Sequence, residues 1–152
     1  MKWITRENVG IDRIACAWLI KKYIDKEAVF EFVNYGEDVV GNSDIGISFD
    51  IPGCKYGHRR GRCSFNTLLK EYNLSDAVLE EIADIIDGAD CVNEIVPSPE
   101  SYGLEAICLG LRKYTGSDAE AIKQGEIIYD SLYAYVKNKY INAETMILNN
   151  KK

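Results

Sequence analysis

Residues 11–20 read Ile11-Asp12-Arg13-Ile14-Ala15-Cys16-Ala17-Trp18-Leu19-Ile20, and the segment runs on to about Asp25. Its apolar positions are Ile11, Ile14, Ala15, Cys16, Trp18, Leu19, Ile20, Tyr23 and Ile24. On a 3.6-residue period they cover most of the circumference, which predicts a central, largely buried helix rather than a surface one. Asn8 or Gly10 opens it, and Asp12 sits near the positive end, where a carboxylate is favourable. A charged pair, Asp12-Arg13, at the head of a buried element requires partners from elsewhere in the chain.

Working outward, Lys2 to Arg6 reads as a short strand, with Trp3 and Thr5 on one face and Ile4 on the other. Ala28 to Val33 is a second strand rich in Val and Phe, and Ile45 to Ile51 a third, closed by Pro52-Gly53. Between the last two, Gly36 to Asp44 is loop-like, with a turn signal at Gly41-Asn42-Ser43-Asp44. Helices dominate afterwards. They are predicted over Phe65–Tyr72, from a Ser75-Asp76 cap to Gly88, from Ser101 or Tyr102 through Leu111, and from Ala119 to Tyr140 after a break at Thr115-Gly116-Ser117-Asp118. Asp90 to Pro99 is an irregular connection, and Asn142 to Lys152 a frayed or crossing tail. The order predicts a single α+β domain over residues 1–152. A small N-terminal sheet of about three strands packs with about five helices, and the C-terminal half is helix-dominated.

The chain has 152 residues and a formal net charge of −6, a balance that argues against a nucleic-acid-binding face. No apolar run reaches the length of a membrane span, and the first residues become charged too early for a signal peptide, so a cytoplasmic protein is expected. Cys16, Cys54, Cys63, Cys91 and Cys108 are odd in number and form no Cys-x-x-Cys pair, which predicts reduced thiols and no closed structural zinc site.

Against this acidic background, Cys54-Lys55-Tyr56-Gly57-His58-Arg59-Arg60-Gly61-Arg62-Cys63-Ser64-Phe65 is basic and holds the single histidine. Next to a helix start it suits an oxyanion, which guanidinium groups bind through several donors at once; a solvated basic loop fits the same residues. His58 has the chemistry of a general base, an anion donor or a metal ligand. Cys63, beside Arg62 and a helix N-terminus, suits a low-pKa thiolate, and a small buried hydrophobe equally. Cys54 could lie near Cys63 and pair with it. Asp12, Asp50, Asp90 and Glu105 lie near element ends, and with His58 they could hold a mononuclear divalent transition metal. Tyr129, Tyr133, Tyr135 and Tyr140 on the last helix suggest a packing or homodimer face.

Several segments, taken together, resemble the chromate resistance protein ChrB family, in its C-terminal domain. They are Trp3-x-Thr5-Arg6, the Ile11–Ile20 stretch, Phe49-Asp50-x-Pro52-Gly53, Gly57-His58 with Arg62-Cys63-Ser64-Phe65, Gly88-Ala89-Asp90, and Gly103-Leu104 with Gly110-Leu111. The resemblance covers residues 3 to 137. It implies a part in chromate resistance or sensing, and site positions at Arg6, Asp12, Arg13, Cys16, His58, Cys63 and Asp90. Ala17 departs from the proline common in the family. Regulators of the family carry a further N-terminal domain outside this stretch, so direct DNA binding is not expected of this chain alone. Three expectations follow. The first is a pocket in which Arg6, Arg13, Arg59 and Arg62 bind a chromate- or sulfate-like oxyanion, or in which His58, Asp12 and Asp90 bind a metal. The second is a small metal- or thiol-dependent enzyme using His58 and Cys63 in redox or sulfur chemistry. The third is a dimeric interaction module without chemistry.

Overall fold

The computed structural model describes residues 1–40, 44–90 and 95–152. The turn at Gly41-Asn42-Ser43 and the start of the Asp90–Pro99 connection, with Cys91, fall outside them. Strand β1 (Lys2–Arg6) is followed by α1 (Ile11–Leu19), which ends in a π-helical turn over Ile20–Ile24. Strands β2 (Val29–Val33) and β3 (Ile47–Ser48) follow, then helices α2 (Ser64–Glu71), α3 (Ala77–Asp90), α4 (Pro99–Tyr114) and α5 (Asp118–Asn150). The architecture is the expected α+β one.

The sheet has the order β2-β1-β3 and is wholly parallel. Parallel neighbours cannot be joined by a hairpin, and α1 supplies the crossover from β1 to β2. Trp3 pairs with Phe30 and Ile4 with Glu31, while Trp3 and Ile4 face Ile47 and Ser48 on the other side. Side-chain alternation along β1 then divides the interior. Trp3 joins the main core beneath the helices, and Ile4 joins a smaller cluster with Val39 and Ile51. The third strand is shorter than the expected Ile45–Ile51. Asp50 takes a left-handed backbone (φ 49°), and Gly53 (φ 84°) completes the turn that carries the chain away from the sheet.

Helix α1 is buried almost all round, as its sequence predicts, and packs against α2, α3, α4 and α5. The Trp18 ring stacks on Phe65 with centroids 6.4 Å apart and meets Tyr129 at 5.9 Å. Helix boundaries differ from the sequence reading in α4 and α5, and α3 runs past Gly88 to Asp90. Ser98 and Ser101 form a reciprocal cap, so α4 begins at Pro99, where the missing proline N–H costs nothing. The C-terminal segment is not a tail: α5 runs unbroken to Asn150, and its residues from 137 onward are exposed. No described helix is long and apolar enough to cross a membrane.

Candidate functional site

The loop before α2 is held at both ends. Arg59 and Arg62 exchange backbone hydrogen bonds of 3.1 Å around a tight turn with Arg60 (φ 53°) and Gly61 (φ 73°) at its centre. Two successive left-handed residues are the requirement of a type I′ turn, which explains the Arg-Gly pair. The Thr67 hydroxyl donates to the Gly57 carbonyl at 2.7 Å. The buried Asp87 accepts from the Cys63 N–H at 2.8 Å and pairs with Arg62. These contacts fix His58 between them.

Asp12 links this loop to the central helix. The helix α2 lacks a cap from its own side chains, and Asp12 of α1 supplies one, accepting from the Ser64 N–H at 2.8 Å and the Phe65 N–H at 3.0 Å. It is 1% exposed. The His58 Nε2 atom lies 3.2 Å from Asp12 Oδ2 and 3.3 Å from Asp50 Oδ1. Asp50 also accepts from the Ser64 hydroxyl at 2.7 Å and pairs with Arg13 at 3.0 Å. Asp90 approaches from the end of α3, with a carboxylate oxygen 3.8 Å from the Cys63 sulfur. One ligand atom from each of Asp12, His58, Cys63 and Asp90 falls within 4.8 Å of the others.

The electrostatics follow from this crowding. Burial, then the Asp50 charge, push the Asp12 carboxyl up to about 6. Burial and Asp50 raise Asp90 as well. Burial opposes ionisation of Asp50, but hydrogen bonds from His58 and Ser64 and the Arg13 charge outweigh it and hold that carboxyl below its ordinary value. Hydrogen bonds to Asp12 and Asp50 push His58 up to about 10, so in the metal-free protein an imidazolium proton sits between the two carboxylates.

A cavity of about 540 Å³ opens on the cluster, lined by Asn8, Gly10, Asp12, Arg13, Tyr35, Asp50, Ile51, Pro52, Gly53, His58, Asp90 and Arg112. Of the arginines singled out in the sequence, Arg13 lines it. Arg62 is engaged with Asp84 and Asp87. Arg59 is engaged with Glu71 and the Lys55 carbonyl. Arg6 lies over the Tyr35 ring at 5.5 Å and donates to the Asn34 carbonyl. Cys54 is a free thiol and Cys63 is disulfide-bonded, so the two are not joined and Cys63 is not the reduced thiol expected. The Cys63 sulfur becomes a ligand of thiolate type only on reduction. Burial, then the Asp12 charge, push the Cys16 thiol well up, which makes it an inert core group. Asp87, Tyr35 and Arg112 carry no signal in the sequence. Asp87 reads as one more acid on a helix, and Arg112 lies about a hundred residues from the turn it touches, Asn8.

A family model described as the ChrB C-terminal domain matches residues 3–136. The chain belongs to the ChrB C-terminal domain family. Protein ChrB of Cupriavidus metallidurans (strain CH34) is similar, at 33% identity over 135 residues, which cover 88% of this chain and 40% of that protein. The chain therefore spans less than half the length of that relative. No solved structure matches it. Every residue lining the cavity falls inside the span matched by the ChrB model, and the exposed end of α5 falls outside it.

Proposed function

We propose that this ChrB-family domain binds a divalent transition-metal ion through Asp12, His58 and Asp90, and that its part in the chromate response implied by its family runs through that site. The observation that carries the reading is the convergence of ligand atoms of Asp12, His58 and Asp90 within 4.8 Å of one another at the wall of an open cavity. Two of the carboxylates are held above their ordinary pKa by burial and by a third, an unfavourable concentration of negative charge that a cation relieves. An imidazole with carboxylates suits a first-row metal, and a metal would take the place now held by the His58 proton. A bound cation would also draw an anionic ligand into the cavity. The loop arginines Arg59 and Arg62 take no part in this reading, because acidic partners already neutralise them and neither lines the cavity.

Elemental analysis of the untagged chain, with His58→Ala and Asp90→Asn beside it, tests the reading. The expected result is near-stoichiometric metal in the native chain and at least about tenfold weaker uptake in each variant, the usual scale for losing a ligand or its support. A native chain that takes up no first-row metal when it is supplied overturns the proposal. Asp12 and His58 would then be a capping and ion-pair network that holds α1 against α2.

A further inference from the structure

We infer that the cavity takes a small organic anion rather than a bare tetrahedral oxyanion, with the ligand's carboxylate or phosphate on Arg112 and its other end at the metal site. The inference deepens the metal reading and rests on it in one respect, that the inner end of the ligand meets the bound ion. Volume is the first argument. At about 540 Å³ the cavity lies within the range of roughly 300–1,000 Å³ typical of organic-ligand sites, far beyond what a single tetrahedral ion fills. Lining chemistry is the second. Ile51, Pro52, Gly53 and the Tyr35 ring contribute apolar surface, which an organic skeleton uses and an inorganic anion does not.

Charge is the third argument. Of the two arginines on the wall, Arg13 is committed: it pairs with Asp50 and donates to the Glu7 carbonyl and the Tyr35 hydroxyl. Arg112 has no carboxylate partner among the described residues. It donates to the Asn8 carbonyl at 3.3 Å, and its side chain lines the cavity. Asn8 and Gly10 lie beside it at the start of α1, where the Asp118 carboxylate already accepts from the Asn8 and Val9 N–H groups, so the anion contact falls to the guanidinium rather than to the backbone. Arg112, an apolar strip and a metal-ligand cluster thus surround a single volume.

The test is calorimetric titration of the full chain, metal-loaded and metal-free, with malate, glycerol 3-phosphate and inorganic sulfate. One organic probe is expected to bind at least about tenfold more tightly than sulfate, and Arg112→Gln to weaken it about tenfold, the loss of one charge-assisted contact. Arg112 is exposed, so that variant keeps its fold, and metal content measured on the same samples should not change. Malate against glycerol 3-phosphate decides between a carboxylate and a phosphate. Sulfate binding as tightly as both organic probes, no binding by any probe, or an unchanged affinity in Arg112→Gln would each overturn the inference. Loaded and metal-free samples separate the two readings: metal uptake with no organic binding overturns only this one. Arg112-dependent binding in a chain that takes up no metal upholds the anion site and overturns the metal reading.

Discussion

Asp130 shows how much a single exposed residue on α5 can organise. Its carboxylate accepts from the Trp18 indole at 2.9 Å and from Lys22 at 2.7 Å, and so ties the C-terminal end of α1 and the π-helical turn after it to α5. The Lys22 hydrogen bond, then that of Trp18, holds this carboxyl below its ordinary value. A depressed carboxyl contributes stability above its unfolded pKa, and the contribution is lost as the pH falls through the folded one. Because the pair is largely solvated, the effect should stay below about 1 kcal/mol. In urea titrations, Asp130→Asn should be less stable than the native chain at pH 7 and indistinguishable from it near pH 2. A gap that persists at acid pH would show that the charge is not what matters. The candidate site has the same residue-scale logic. His58 and Asp12 were legible in the sequence as chemistry without partners, and only the fold shows that one ring nitrogen faces both Asp12 and Asp50.

At the scale of elements, the close approach of α1 and α5 sets the interior. Gly125 is the residue that permits it. A Cβ built there would stand 2.2 Å from Ile14 Cγ2, on a fully buried, β-branched side chain with little room to move. Gly125→Ala gains helix propensity of about 1 kcal/mol, yet the overpacking should cost more, for a net loss of about 1–2 kcal/mol. Urea denaturation would measure it, and a stabilised variant would show that the two helices can separate without cost. In the sequence Gly125 looks like a weak point in a long helix. Its reason lies in Ile14, more than a hundred residues away, so no local pattern reveals it. On the same helix Ile122, Tyr129 and Val136 are buried at seven-residue intervals, whereas Tyr135 and Tyr140, grouped with Tyr129 in the sequence reading, are exposed.

The whole molecule is a compact body of sheet and helices with the end of α5 projecting from it. Lys139 still reaches Glu81 on α3 at 2.8 Å, but Ile141, Met146, Ile147 and Leu148 are exposed and belong to neither core cluster. Deleting residues 141–152 should therefore leave the thermal midpoint within about 1–2 °C of the native value, the span that a surface change of about half a kcal/mol allows. A larger fall, accompanied by a change in mass by light scattering, would show that this segment packs against a second copy.

The sequence alone determined the order of elements, the burial of α1, the split of Trp3 and Ile4 between two faces, and the presence of unusual chemistry around His58. Each of these depends on periodicity or composition within one segment, which local stereochemistry enforces. Tertiary structure decided which arginines are spoken for, that Asp12 caps a helix other than its own, that Asp50, Asp90 and Arg112 share one cavity, and that β3 stops short. Those outcomes depend on distances between residues far apart in the chain. Such distances are set by how helices and sheet pack as rigid bodies, and no single segment encodes them.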